Sequence, residues 1–255
     1  MSNFDRNAPV WGAGRAQQTS AVEMDQGLRS FMLGVYNNMS IGLAITGLAA
    51  IGISMLAIAG VSPTGKVTAL TTFGQAIYVS PLKYVVMLAP LAFIFFFSFK
   101  AESMSAATAR LMFFVFAAVM GVSMSSIFVV FTGESITKVF FITAAAFGAL
   151  SLAGYTTKKS LSGMGSFLIM GLIGLMIASV VNIFLASSAL SFAISAIGVL
   201  VFAGLTAWDT QRLKEMYLYS DLDAESAAKL SVNGALSLYL NFINMFQMLL
   251  SLFGN

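Results

Sequence analysis

The chain has 255 residues, 58% of them hydrophobic and only 9% charged, and its mean hydropathy is +0.90; a soluble domain carries about 25% charged residues, so most of this surface must meet lipid. With neither cysteine nor histidine, it has no disulfide, thiolate nucleophile, Ser-His or Cys-His catalysis, imidazole metal ligand or histidine pH switch. The net charge of +3 is what a membrane protein acquires when its cytoplasmic loops collect Lys and Arg, and it does not point to nucleic acid.

Residues 1–30 are polar, with Asp5, Arg6, Arg15, Glu23, Asp25 and Arg29. They read as a mobile cytoplasmic tail, with Glu23 to Arg29 starting an interfacial helix. The acidic residues and the delay before the first apolar run do not suit a signal peptide. Residues 31–255 read as the transmembrane domain.

Charges divide the rest into apolar runs of roughly the 20 residues a span needs. The first four are 31–60, 84–99 (extended by Leu82 and a snorkelling Lys83 or Lys100), 111–131 and 139–157. Residues 67–80 are mixed and uncharged before Pro81, and read as an interfacial helix or covering loop. Glu134 reads as a water-facing charge in a short loop.

The next uncharged run, 160–208, would make a helix of about 74 Å at ~1.5 Å per residue, more than twice the ~30 Å hydrocarbon core. It must hold two spans, 166–186 and 190–208, with a turn at Ala186-Ser187-Ser188. A helix continuing past the membrane explains the 3–4 spacing of Leu213, Met216 and Tyr217. Residues 221–229 read as a solvated connection, and 232–253 is the seventh span.

An odd count puts ten Lys and Arg on the N-terminal side: Arg6, Arg15, Arg29, Lys100, Arg110, Lys158, Lys159, Arg212, Lys214 and Lys229. Three fall on the other side: Lys66, Lys83 and Lys138. The expected fold is therefore an all-α membrane bundle of seven helices, N-terminus inside and C-terminus outside.

The seventh span carries Asn233, Ser237, Asn241, Asn244, Gln247 and Ser251. At 100° per residue they fall within an arc of about 120°. Amides cannot face lipid without partners, so this stripe either lines a polar path or binds the helix into the bundle as its central element. Leu250 is expected on the lipid side. Asp209, after the sixth span, is either a carboxylate at the cytoplasmic mouth of that path or half of a local pair with Arg212.

Ala207-Trp208-Asp209-Thr210-Gln211, followed by 235–244 (ALSLYLNFIN) and Leu252-Phe253-Gly254, resembles the Bax inhibitor-1 family over about residues 30–254. The resemblance implies seven helices with the seventh central, and a bacterial inner membrane, which the short, cysteine-free chain fits. It further implies a pH-sensitive calcium leak, closed on the cytoplasmic side by two proton-sharing aspartates that a basic residue near the end of the second helix can pair with. Asp209 matches the first aspartate and Lys100 the basic residue, but Asn241 stands where the second aspartate belongs. An amide there loses the coupling between two carboxylates.

Two functions follow. One is a cation leak with weakened pH gating, with Asp209 the one ligand for passing Ca2+ and no resident cofactor. The other is a non-conducting regulator that binds other membrane proteins, such as proteases or assembly machinery. No nucleophile–base constellation suggests an enzyme, and no lysine in the seventh span offers a retinal Schiff base.

Overall fold

The computed structural model describes residues 11–100, 103–220 and 222–255, with side chains from Asp25 onward except those of residues 97, 98 and 100. Of the polar segment expected as a tail, residues 1–10 lie outside the described residues. From Trp11 the chain is helical and runs without a break into the first span as α1, Trp11–Ala57.

A small antiparallel hairpin follows, β1 (Ile58–Val61) and β2 (Val67–Leu70), turning at Gly65 with φ 79. Next come α2, Thr72–Tyr78, and α3, Leu82–Lys100. The segment expected as one interfacial helix or loop is thus half strand and half helix. Its mixed β-branched and polar residues pair with the end of the first apolar run instead of lying alone.

The remaining helices are α4 (Ala106–Met124), α5 (Ile127–Val130), α6 (Gly133–Thr156), α7 (Ser162–Leu185), α8 (Ser188–Tyr219) and α9 (Ala224–Phe253). Their starts are written in the sequence. Ser105, Thr132, Ser187 and Asp223 are N-caps whose side chains accept from the backbone N–H three residues on, satisfying donors the helix cannot. Glu134 is exposed, but it sits in the first turn of α6 rather than in a loop, where its charge complements the helix dipole.

The long uncharged run breaks at the expected place. Ala186 takes a left-handed conformation with φ 48, and Asn182 bridges the turn, accepting from Ser187 N at 3.1 Å and donating to Ser191 Oγ at 2.7 Å. α8 then continues well past its apolar part to Tyr219.

Six helices are long and apolar enough to cross a membrane: the Asp25–Ala57 part of α1, α4 with α5, α6, α7, α8 and α9. α2 and α3, bent by 60° against each other, make a seventh if the pair counts as one span. The protein is therefore an all-α membrane protein of six or seven spans.

α9 packs on α8, α1, α6 and α4. Half of its most apolar stretch is buried, against 11–39% for the other long helices, making it the most enclosed. Close helix approach needs glycine at Gly74 of α2, where a side chain would strike the backbone of Ala57 at the end of α1, and at two crossings of the long helices. A side chain at Gly121 would strike the backbone of Thr46 where α4 crosses α1, and one at Gly154 the backbone of Ala207 where α6 crosses α8.

Candidate functional site

The segment Ala207–Gln211 is a hub whose residues together reach α6, α7, the loop before α7 and α9. The Ala207 carbonyl faces Gly154 of α6, and the Trp208 ring lies against Gly165 of α7. Thr210 Oγ1 is 2.9 Å from Ser151 Oγ, which is 2.6 Å from Tyr36 OH on α1. Gln211 donates to Lys159 O at 2.8 Å and accepts from Leu161 N at 2.6 Å, holding the loop before α7.

Asp209 is left for α9. The Asn241 side chain donates from Nδ2 to Asp209 Oδ2 at 2.7 Å. Asp209 is half-buried and Asn241 is 6% exposed. Arg212 adds an attractive charge to Asp209, while its guanidinium lies over the Trp208 ring, 5.3 Å from the centroid. The hydrogen bond of Asp209 thus runs between helices rather than to its neighbour on the same helix.

This pairing differs chemically from two carboxylates. Two aspartates at this distance need a proton between them. An amide N–H is a permanent donor and bonds an ionised or a neutral carboxyl group alike. Asn241 therefore joins α8 to α9 at any proton concentration. The amide oxygen and Asp209 offer too few oxygens for a resident Ca2+, which takes about six to eight. Among the described residues no three acidic groups gather into a metal site. Lys100 ends α3, but its side chain lies outside the described residues.

Only two residues of the polar stripe bind α9 into the bundle, Asn241 and Ser251, both to α8. Asn233, Ser237 and Ser251 are exposed, and Asn244 and Gln247 are half-buried; of the six only Asn241 is buried. Asn244 donates to its own helix at Leu240 O, 2.8 Å, and Ser251 accepts from Ser195 at 3.1 Å. What is buried is the apolar side. Tyr239 has no exposed surface, lies 5.5 Å from the Phe113 ring and 5.9 Å from the Phe116 ring, and meets Thr46 Oγ1 at 2.6 Å. Leu250, expected to face lipid, is 1% exposed.

The angular positions explain this. At 100° per residue, Gly234, Asn241 and Met248 share the side that meets Leu213, Asp209 and Gly198 of α8. Phe242 meets Phe140 and Phe147 of α6, and Tyr239 faces α1 and α4. The remaining sector, with Asn233, Ser237 and Asn244, opens between α8 and α4, and Ser251 at its far end meets Ser195 of α8.

Several residues that reading the sequence missed hold the frame of the site. Glu225 Oε1 accepts from Ala106 N at 2.6 Å, tying the start of α9 to the start of α4. Asp223, on the connection expected to be merely solvated, caps α9. Asp221 lies outside the described residues. Lys214 donates to Tyr155 O at 2.9 Å at the end of α6. Only the cap had a local signal, in Asp223-x-x-Ser226 before an apolar helix.

A family profile described as "Inhibitor of apoptosis-promoting Bax1" matches residues 28–255. A protein of Caulobacter vibrioides is 45% identical over 256 residues, covering 100% of this chain and 98% of its own. The uncharacterized protein RP147 of Rickettsia prowazekii is 46% identical, covering 91% and 92%. The inner membrane protein YbhL of Escherichia coli is 41% identical, covering 92% and 96%.

Proposed function

Because the chain belongs to the family of inhibitors of apoptosis-promoting Bax1, we propose that it is a seven-span inner-membrane protein that leaks cations, calcium among them, along the polar face of α9, with weakened pH gating. The observation that carries this reading is the open sector of the most enclosed helix. A polar face left uncovered within an apolar bundle cannot be turned to lipid, so it needs water. A file of water between α8 and α4, with Asp209 beside it, is a cation path. An inner-membrane location accords with the name of the Escherichia coli relative.

The ten-to-three distribution of Lys and Arg favours the N-terminus inside, with α2 and α3 together as the second span. The chain has no cysteine, so single cysteines test this directly. One at Ser62 should react with an impermeant thiol reagent from outside, and one at Ser160 only from inside. Labelling of both from the same side contradicts the arrangement.

The same open face supports a second reading, a non-conducting regulator whose polar sector is covered by another membrane protein. Flux separates the two. Purified protein in liposomes loaded with a calcium indicator should pass Ca2+ faster than empty liposomes, and Asp209→Asn should reduce the rate. Flux equal to that of empty liposomes, together with crosslinking of a cysteine at Ser237 to a partner in cells, favours the regulator.

A further inference from the structure

α1 and α6 each pack on α8 and α9 and leave between them a groove of about 710 Å³ that Phe242 of α9 closes at the back. Its walls are apolar, with Met32, Met39 and Leu43 from α1 and Phe140 and Phe147 from α6. Arg29 stands at one end. The bond between Tyr36 and Ser151 fixes the antiparallel register of the two helices, so the Arg29 end is also the Tyr155 end. There the Lys214 ammonium lies 5.2 Å from the centroid of the Tyr155 ring. Two cations therefore lie at the same end, Arg29 in the groove wall and Lys214 behind it on Tyr155, and the other end is apolar but for Ser40.

We propose that this groove is a binding site for one anionic phospholipid, its phosphate at Arg29 and an acyl chain running along the groove to Leu43. The groove opens sideways between two spans, so hydrocarbon is what it meets in a bilayer. From Arg29 to Leu43 the helix rises about 21 Å at ~1.5 Å per residue, which matches one leaflet of a bilayer ~40–45 Å thick with its headgroups. Most polar groups of the wall are already spent: Ser151 bonds both Tyr36 beside it and Thr210 behind it, and Ser40 is the one further hydroxyl in the lining. They leave little for a polar occupant and suit an alkyl chain. Arginine pairs with phosphate through its planar fork, and the second cation selects an anionic headgroup over a zwitterionic one. This site stands apart from the cation path and does not depend on it.

Native mass spectrometry of the full-length protein with dioleoyl phosphatidylglycerol or dioleoyl phosphatidylcholine tests the proposal. The wild type should retain one phosphatidylglycerol at collision energies that strip phosphatidylcholine. Arg29→Gln should retain phosphatidylglycerol about fivefold less, the weight of one basic residue near an anionic surface, with phosphatidylcholine unchanged. Gly148 lines the groove, and a Cβ built on it meets no atom within 4 Å. Gly148→Phe should therefore fill the groove and abolish retention while the thermal unfolding temperature stays that of the wild type. Arg29 is exposed, so its variant keeps the test readable even if Gly148→Phe is less stable. Equal retention of the two lipids by the wild type overturns the site. So does undiminished phosphatidylglycerol binding in either variant.

Discussion

On one side of α9, Tyr239 has no exposed surface and is held by two phenylalanine rings and a threonine hydroxyl. On another, Asn233 and Ser237 stand open. Both sides belong to one thirty-residue helix, and lipid acts on them differently. In a bilayer, apolar side chains gain little by leaving lipid for protein, so burial on the Tyr239 side rests on close packing and on the hydrogen bond to Thr46. The amide side cannot be left to lipid at all. Asn241 lies at the border between the two, its amide spent on Asp209. Stability belongs to the first side and the proposed transport to the second.

Substitutions can break that division. Tyr239→Ala should have the largest effect, about 3–5 kcal/mol for a buried aromatic truncation, read as a loss of resistance to unfolding in mixed micelles. Asn241→Leu removes a single interhelical hydrogen bond, and such bonds average about 0.6 kcal/mol, reaching about 1.7. Its cost should therefore be several times smaller by the same measurement. Replacing Asn233, Ser237 and Asn244 together by leucine should leave stability near that of the wild type and abolish calcium flux in liposomes. A stability loss as large as that of Tyr239→Ala would show that the open sector is a packed interface.

The smallest effect lies outside the membrane, at the cap of α9. The side chain and backbone N–H of Ser226 hold the Asp223 carboxyl below the usual carboxylate range. A lowered carboxylate contributes stability above its unfolded value, near about 3.9, and loses it as pH falls through the lower folded value. Asp223→Ala should therefore fray the start of α9 at neutral pH and differ little from wild type in strong acid. Hydrogen exchange of the first turn of α9 measures this.

The division between the two sides was only half legible in the sequence. A run too long for one span forced the break at Ala186, and the 3–4 spacing after Trp208 anticipated the extension of α8. Periodicity also showed that six polar residues share a face of α9, but not which helices cover the other faces. That depends on where α8 and α4 stand, which no local pattern records. Leu250 was misplaced for that reason: its side of α9 is covered by neighbouring helices rather than by lipid. The hub around Asp209 has the same cause. Thr210 and Gln211 are ordinary polar residues in a sequence, and only the crossing of α8 over α6 and α7 gives them Ser151 and the loop before α7 as partners.

The central claim is that Asn241 replaces a shared proton by a permanent donor. It is tested most directly by calcium flux through liposomes from about pH 5 to 8, with wild type and Asn241→Asp side by side. Two close carboxylates share a proton and titrate as a coupled pair, whereas a carboxylate and an amide do not. The wild type, with α8 and α9 joined throughout by Asn241, should show a low leak with little dependence on pH. Asn241→Asp should close at the acid end, where the shared proton joins α8 to α9, and open as that proton is lost. Identical pH profiles for the two proteins would contradict the account.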